Sequence, residues 1–155
     1  MLLFATTGII AQGKTSPSNF DQATIYKSIA STNTGEINSA LASLKESTLK
    51  EKEAYEGVLL MKKAGLSRNA KEKLANFKSG RTRLETAIKN DAANVEYHFL
   101  RLIIQENAPN IVKYKNNLKT DAELVRTSFK KLPPAVQQAV KDYSKKSKFL
   151  NPGDF

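Results

Sequence analysis

The chain reads as an all-α protein of six or seven helices in antiparallel hairpins, stacked as a short solenoid or closed as a bundle. Three observations predict this. Apolar residues from Phe20 onward recur at the i, i+3, i+4, i+7 spacing of a helix face, and no stretch alternates convincingly with the period of two that marks a strand. Asn, Asp, Ser, Gly and Pro, the residues of caps and turns, punctuate those stretches. The turns themselves are short, which favours antiparallel neighbours.

The elements follow in order. Asp21 precedes a short first helix with Ile25 and Ile29 inward, broken at Asn33-Thr34-Gly35. Ile37, Ala40, Leu41 and Leu44 form the apolar face of a second helix. Ser47 is placed to cap a third, with Ala54, Val58 and Met61 on one stripe and Gly65 at its end. Ser67 is placed to cap the fourth and longest, over 68–90, whose stripe is Ala70, Leu74, Phe77, Leu84 and Ile88. A turn at 91–94 leads into a fifth helix, 95–107, stopped by Ala108-Pro109. One helical turn is expected within 110–117. Thr120 and Glu123 match a capping box that would open a sixth helix bearing Leu124, Val125, Phe129 and Leu132. Pro133-Pro134 ends that helix and starts the last, which carries Val136, Ala139, Val140 and Tyr143. The tail is irregular, and Phe149 and Phe155 are placed to fold back on the body.

At 155 residues and 40% hydrophobic content, the chain has the size and core of one domain. The reading divides it into a signal segment at 1–11, a linker at 12–19, one helical domain at 20–150 and a tail at 151–155. Residues 1–11 are an uncharged apolar run followed by Gln12-Gly13-Lys14-Thr15-Ser16, the core and end of a secretory signal with Ile9 and Ala11 at the cleavage positions. The expectation is a periplasmic or secreted protein beginning at Gln12. The alternative is a buried N-terminal helical turn; so short a run cannot span a bilayer, which takes ~20 apolar residues.

There is no cysteine, so a disulfide framework, a thiolate metal site and a cysteine nucleophile are excluded. A single histidine removes most histidine-based metal sites. No zinc-protease, phosphate-loop, nucleophile-elbow or calcium-loop motif occurs. The expectation is therefore no catalytic residue, no metal and no cofactor. The net charge is +10, and it is lopsided: residues 12–60 are close to neutral while 62–89 and 113–148 are strongly basic. That asymmetry points to an anionic partner, or to a solvated lysine-rich surface.

Two constellations stand out. The fifth helix is apolar nearly all round, which suits a central helix, yet Asn94, His98, Arg101 and Gln105 line up as one narrow polar strip. The strip is either the one solvent-facing edge of that helix or the polar wall of a groove. In the second case Tyr97, His98, Arg101 and Gln105, with Lys78 and Arg83 of the basic fourth helix, would meet the partner. Arg81 interrupts the apolar stripe of its helix and must find a partner. In a hairpin closing at 91–94 it falls near Glu106, so a structural Arg81–Glu106 ion pair is expected. Glu96 lies opposite the strip and reads as a first-turn acid favoured by the helix dipole.

The stretch Gly80-x3-Leu84-x2-Ala87-x4-Ala92-x-Asn94 resembles the second helix of a tetratricopeptide repeat and its exit turn, without the Trp, Leu-Gly and Tyr of the first helix. Residues 95–109, continuing to Tyr114 and Asp121, with the Ala11-Gln12 junction, resemble a group of small uncharacterised exported proteins of Gram-negative bacteria. That resemblance implies a signal peptide and a compact tetratricopeptide-like helical domain with no assigned activity, and it brings no catalytic residues. The expected function is a non-catalytic exported interaction module for a protein or an anionic envelope component. The alternatives are a cytoplasmic nucleic-acid-binding protein and, less favoured for want of an acid–base pair, a cell-wall enzyme.

Overall fold

The structure is a computed structural model that describes residues 21–155. The expected signal segment 1–11 and linker 12–19 lie outside them. The described residues are all-helical and hold no strand. They form α1 (Gln22–Ala30), α2 (Thr34–Lys45), α3 (Lys52–Leu66), α4 (Ala70–Asn90), α5 (Val95–Asn107), α6 (Leu118–Ser128) and α7 (Pro134–Ser144), with 3-10 turns at Asn110–Val112, Phe129–Lys131 and Pro152–Asp154.

Short polar side chains start four of the helices. Asp21, Asn33, Asn69 and Asn94 each accept a backbone N–H from the first turn that follows them. Proline opens α7, where its missing N–H costs nothing. Three expected caps move. Ser47 accepts the N–H of Leu49 within a turn, and α3 begins only at Lys52. Ser67 likewise accepts the N–H of Asn69, which caps α4 in its place. The sixth helix begins at Leu118, so Thr120 and Glu123 sit inside it and their capping box is not used. Tertiary contact decides that start: the Asn117 N–H donates to Gln105 Oε1 at 3.0 Å, and Gln105 Nε2 donates to Asn117 Oδ1 at 3.1 Å.

The tightest pairing is α3 with α4. Gly57 and Gly80 face each other there, and a Cβ on Gly57 would lie 2.7 Å from the Gly80 carbonyl oxygen and 2.8 Å from the Leu84 nitrogen. Only glycine lets the two backbones approach this closely. Gly80, Leu84, Ala87 and Ile88 carry the buried part of α4. The expected stripe fails in the first half of that helix: Ala70 is exposed, Leu74 is 54% exposed and Phe77 is only half-buried. Tyr114 meets Phe77 edge-on at 6.1 Å, but no helix closes over Leu74.

The chain ends decide between solenoid and bundle. α1 packs on α7, and α5 touches α3, α4, α6 and α7. In a solenoid each unit meets only its neighbours in sequence; here the first and last helices meet, so the helices close as a bundle around α5. One continuous apolar core runs from Ile25 to Leu150. The tail folds back as expected: Phe155 lies 4.7 Å from the Phe129 ring, and Phe149 packs against the core.

Candidate functional site

The polar strip of α5 faces protein rather than water. Asn94 is the cap of the helix. Arg101 and Gln105 are buried, and His98 is half-buried. Gln105 pairs with Asn117, while Arg101 and His98 share Asp121, in the first turn of α6 and fully buried. Arg101 donates to both oxygens of Asp121, from Nε and Nη2, each at 2.8 Å. Its Nη1 donates to Glu85 of α4 at 3.2 Å. The Tyr114 hydroxyl donates to the other Glu85 oxygen. His98 Nδ1 lies 2.9 Å from Asp121 Oδ1, and its Nε2 lies 2.8 Å from the Ala92 carbonyl. Arg101 Nη2 also lies 3.3 Å from Nδ1, but each ring nitrogen has a nearer acceptor, so the geometry favours the doubly protonated imidazolium.

The charges respond accordingly. The hydrogen bond to Asp121 raises His98 above its ordinary value against the opposing pull of burial. Burial alone would lift the Asp121 carboxyl, but the Arg101 and His98 hydrogen bonds overcome it and hold the group below the usual range. Neither expected role of the strip survives. It is not a solvent edge, and it is no groove wall, because α6 and the 110–117 connection cover it. Tyr97 is buried as well. Tyr97, Arg101 and Gln105 are therefore removed as partner contacts, and His98 has both nitrogens occupied.

Glu96 is also buried, on the other side of α5. It accepts from the Tyr55 hydroxyl at 2.5 Å, the Tyr26 hydroxyl at 2.8 Å and Gln22 Nε2 at 3.1 Å. These are three neutral donors and no cation. Burial pushes the carboxyl above its ordinary value, and the tyrosine bonds only partly offset that. Its work is more than a first-turn dipole contact: it ties α1 and α3 to α5. Nothing in the sequence marks Tyr26 and Tyr55 as its partners, since they lie 70 and 41 residues away.

The expected Arg81–Glu106 pair does not form. Arg81 is exposed and stacks its guanidinium over the Tyr114 ring, 4.5 Å from the centroid. Glu106 accepts from the Tyr143 hydroxyl at 2.9 Å, the Ser147 hydroxyl at 2.8 Å and the Lys148 N–H. The end of α7 and the residues just after it reach Glu106 and take it.

Among the described residues two open surfaces stand out. On α4, Arg83 is neutralised by Glu53 and Glu56 at 3.3 and 3.0 Å. Lys78 stays exposed and, with Arg68, Lys71, Lys73 and Lys89, makes no ion pair among the described residues. Lys71, Leu74, Ala75 and Lys78 share one exposed helix face. Ile111 is 87% exposed just before Tyr114. The second surface is a cleft of about 400 Å³ between α1, α5 and α7, with Lys62 of α3 at its edge. Among the described residues no group of three or more His, Asp or Glu is placed to hold a metal ion. No described helix is long and apolar enough to cross a membrane. Comparison with protein-family models, with curated proteins and with solved structures gives no match.

Proposed function

We propose that this protein is a non-catalytic helical module that docks on an anionic surface of the cell envelope through the first half of α4. The observation that carries this is the exposed face Lys71-Leu74-Ala75-Lys78. It joins cations without ion-pair partners among the described residues to an uncovered leucine in a helix held to the body by α3 and α5. Lysines attract lipid phosphates, and Leu74 with nearby Ile111 supplies the apolar anchors that an interfacial helix inserts. Catalysis finds no support in the polar clusters. Both His98 nitrogens are engaged by protein groups, and Glu96 is buried under two tyrosines, which supports a structural role for each. The apolar run 1–11 supports export, which would put the basic face opposite envelope phosphates.

Co-sedimentation of the full chain with vesicles tests the reading. Binding is expected to vesicles containing phosphatidylglycerol and not to pure phosphatidylcholine. Reversal of Lys71, Lys73 and Lys78 to Glu should abolish it, and Leu74→Ser should weaken it. Equal binding by the triple reversal overturns the proposal. Nucleic acid is the runner-up, favoured by the same basic row. Tight duplex DNA binding that falls steeply with salt and ignores Leu74→Ser would select it. Intact mass from native cells decides compartment: an envelope species starting at Gln12 supports export, whereas a cytoplasmic species retaining Met1 overturns it.

A further inference from the structure

We propose that the cleft between α1 and α7 is a binding site for a fatty acid, with the acyl chain along Ile29, Ile103 and Ile104 and the carboxylate between Lys62 and Lys146. This site shares no residue with the α4 face and stands or falls independently of it.

The volume fits first. About 400 Å³ lies within the ~300–1,000 Å³ of small-molecule sites. It is too little for a docking helix, which is ~10–12 Å across. The lining is aliphatic where it is deep. Ile29 comes from α1, and Ile103 and Ile104 from α5, all part of the core, while Ala135 and Ala139 of α7 form the facing wall. The polar groups of the wall are already satisfied: Asn107 Nδ2 donates to the Tyr143 hydroxyl at 2.9 Å, and that hydroxyl donates to Glu106. A chain lying there meets hydrocarbon and pairs with no orphaned polar atom.

The edge carries the opposite character. Lys27, Lys62, Asp142 and Lys146 are the charged residues that line the cleft. Asp142 is engaged by Lys145 at 2.7 Å and by Gln138 at 3.0 Å. Lys27, Lys62 and Lys146 make no ion pair among the described residues. Lys62 is half-buried; burial first and the Lys146 charge second push its ammonium below the ordinary value. Lys62 of α3 and Lys146, which follows α7 and holds its Nζ 5.4 Å from the centroid of the Tyr143 ring, thus line one aliphatic slot from different walls. One carboxylate between them would relieve both the repulsion and the desolvation, and a single apolar tail would fill the slot beneath.

Isothermal titration of the full chain with dodecanoate tests the assignment. One dodecanoate should bind per chain. Dodecyl maltoside, with the same tail and a neutral head, should bind at least about tenfold more weakly, as should Lys62→Met and Lys146→Met toward dodecanoate, since each loses a charge-assisted contact. Ile104→Trp should block the slot. Because Ile104 belongs to the core, Ala139→Leu at the half-buried wall provides a milder block, with the thermal melt checking the fold of each variant. Dodecanoate binding that ignores both lysine variants overturns the carboxylate site. Equal binding of the maltoside reduces the cleft to an apolar slot and overturns it too. Inorganic phosphate or dodecyl phosphate binding as well as dodecanoate removes the fatty acid as the ligand.

Discussion

Asp121 is the residue on which α5 and α6 are joined. It is fully buried between Arg101 and His98, and the Arg101 pairing is bidentate. Such pairs are costly to break from one side, because the remaining charges stay buried without a partner. Asp121→Ala should cost about 3–5 kcal/mol in urea unfolding. A loss below about 1 kcal/mol would mean that water or Glu85 takes over. His98 adds a pH dependence. Its folded-state value is raised, so the folded chain holds the proton more tightly than the unfolded chain does. The stabilisation is complete below the unfolded value of about 6.5 and fades as pH rises through the higher folded value. His98→Gln should flatten that limb of the stability profile; matching profiles for variant and parent would show that the ring is not doubly protonated. Arg81 and Glu106 should show no coupling in a double-mutant cycle. Glu106→Ala should still cost more than Arg81→Leu. The reason is its three bonds, to Tyr143 of α7 and to Ser147 and Lys148 beyond it, against one exposed cation–π contact worth about 0.5–1 kcal/mol.

At the scale of the element, α4 is two helices in one. Its second half is pinned to α3 across Gly57 and Gly80, and its first half keeps an uncovered basic face. The pinning makes Gly57→Ala informative. A methyl there lies 2.7 Å from the Gly80 carbonyl, and backbone cannot step aside as a flexible side chain can. The helix propensity gained, about 1 kcal/mol, should be outweighed by separation of the pair, for a net loss of about 1–3 kcal/mol. A thermal melt reads it; an unchanged or higher Tm would show that the helices slide apart freely. Gly80 stands out in the sequence as a glycine at a small-residue position of a helical stretch. Gly57 is not, because nothing local distinguishes a helix-interior glycine that meets another backbone from one that does not. The same limit explains the caps. Ser47 and Ser67 are sound cap residues by type, yet they serve turns, and only the path of the chain selects Asn69 in place of Ser67.

For the whole molecule, Glu96 is the long-range tie. Through Tyr26 and Tyr55 it holds α1 and α3 on α5, and α1 in turn meets α7 to close the bundle. Its carboxyl is raised by burial, so its contribution is complete below the ordinary glutamate value and is lost as pH rises through the folded value. Glu96→Gln should remove this acid-side gain. Glu96→Ala, which strands two buried tyrosine hydroxyls, should cost roughly 2–4 kcal/mol. Chemical denaturation on the acid side of neutrality and above it distinguishes them, and a parent profile identical to that of Glu96→Gln would show that the group titrates normally.

By itself the sequence determined the helical class, the number and order of the helices, most of the apolar faces and the uneven charge. These follow from periodicity, caps and composition, which are local. It also identified α5 as central, because a helix apolar nearly all round has to be enclosed. Tertiary structure alone decided what encloses it. Asp121 closes over the polar strip, Tyr26 and Tyr55 close over Glu96, and α7 claims Glu106 from Arg81. Each of these pairings joins residues between 20 and 70 positions apart. A buried charge accepts whichever partner the packing delivers, and one sequence pattern cannot say which of several helices will arrive. The open surfaces follow the same rule: the cleft and the bare half of α4 are where no other helix of the described residues packs.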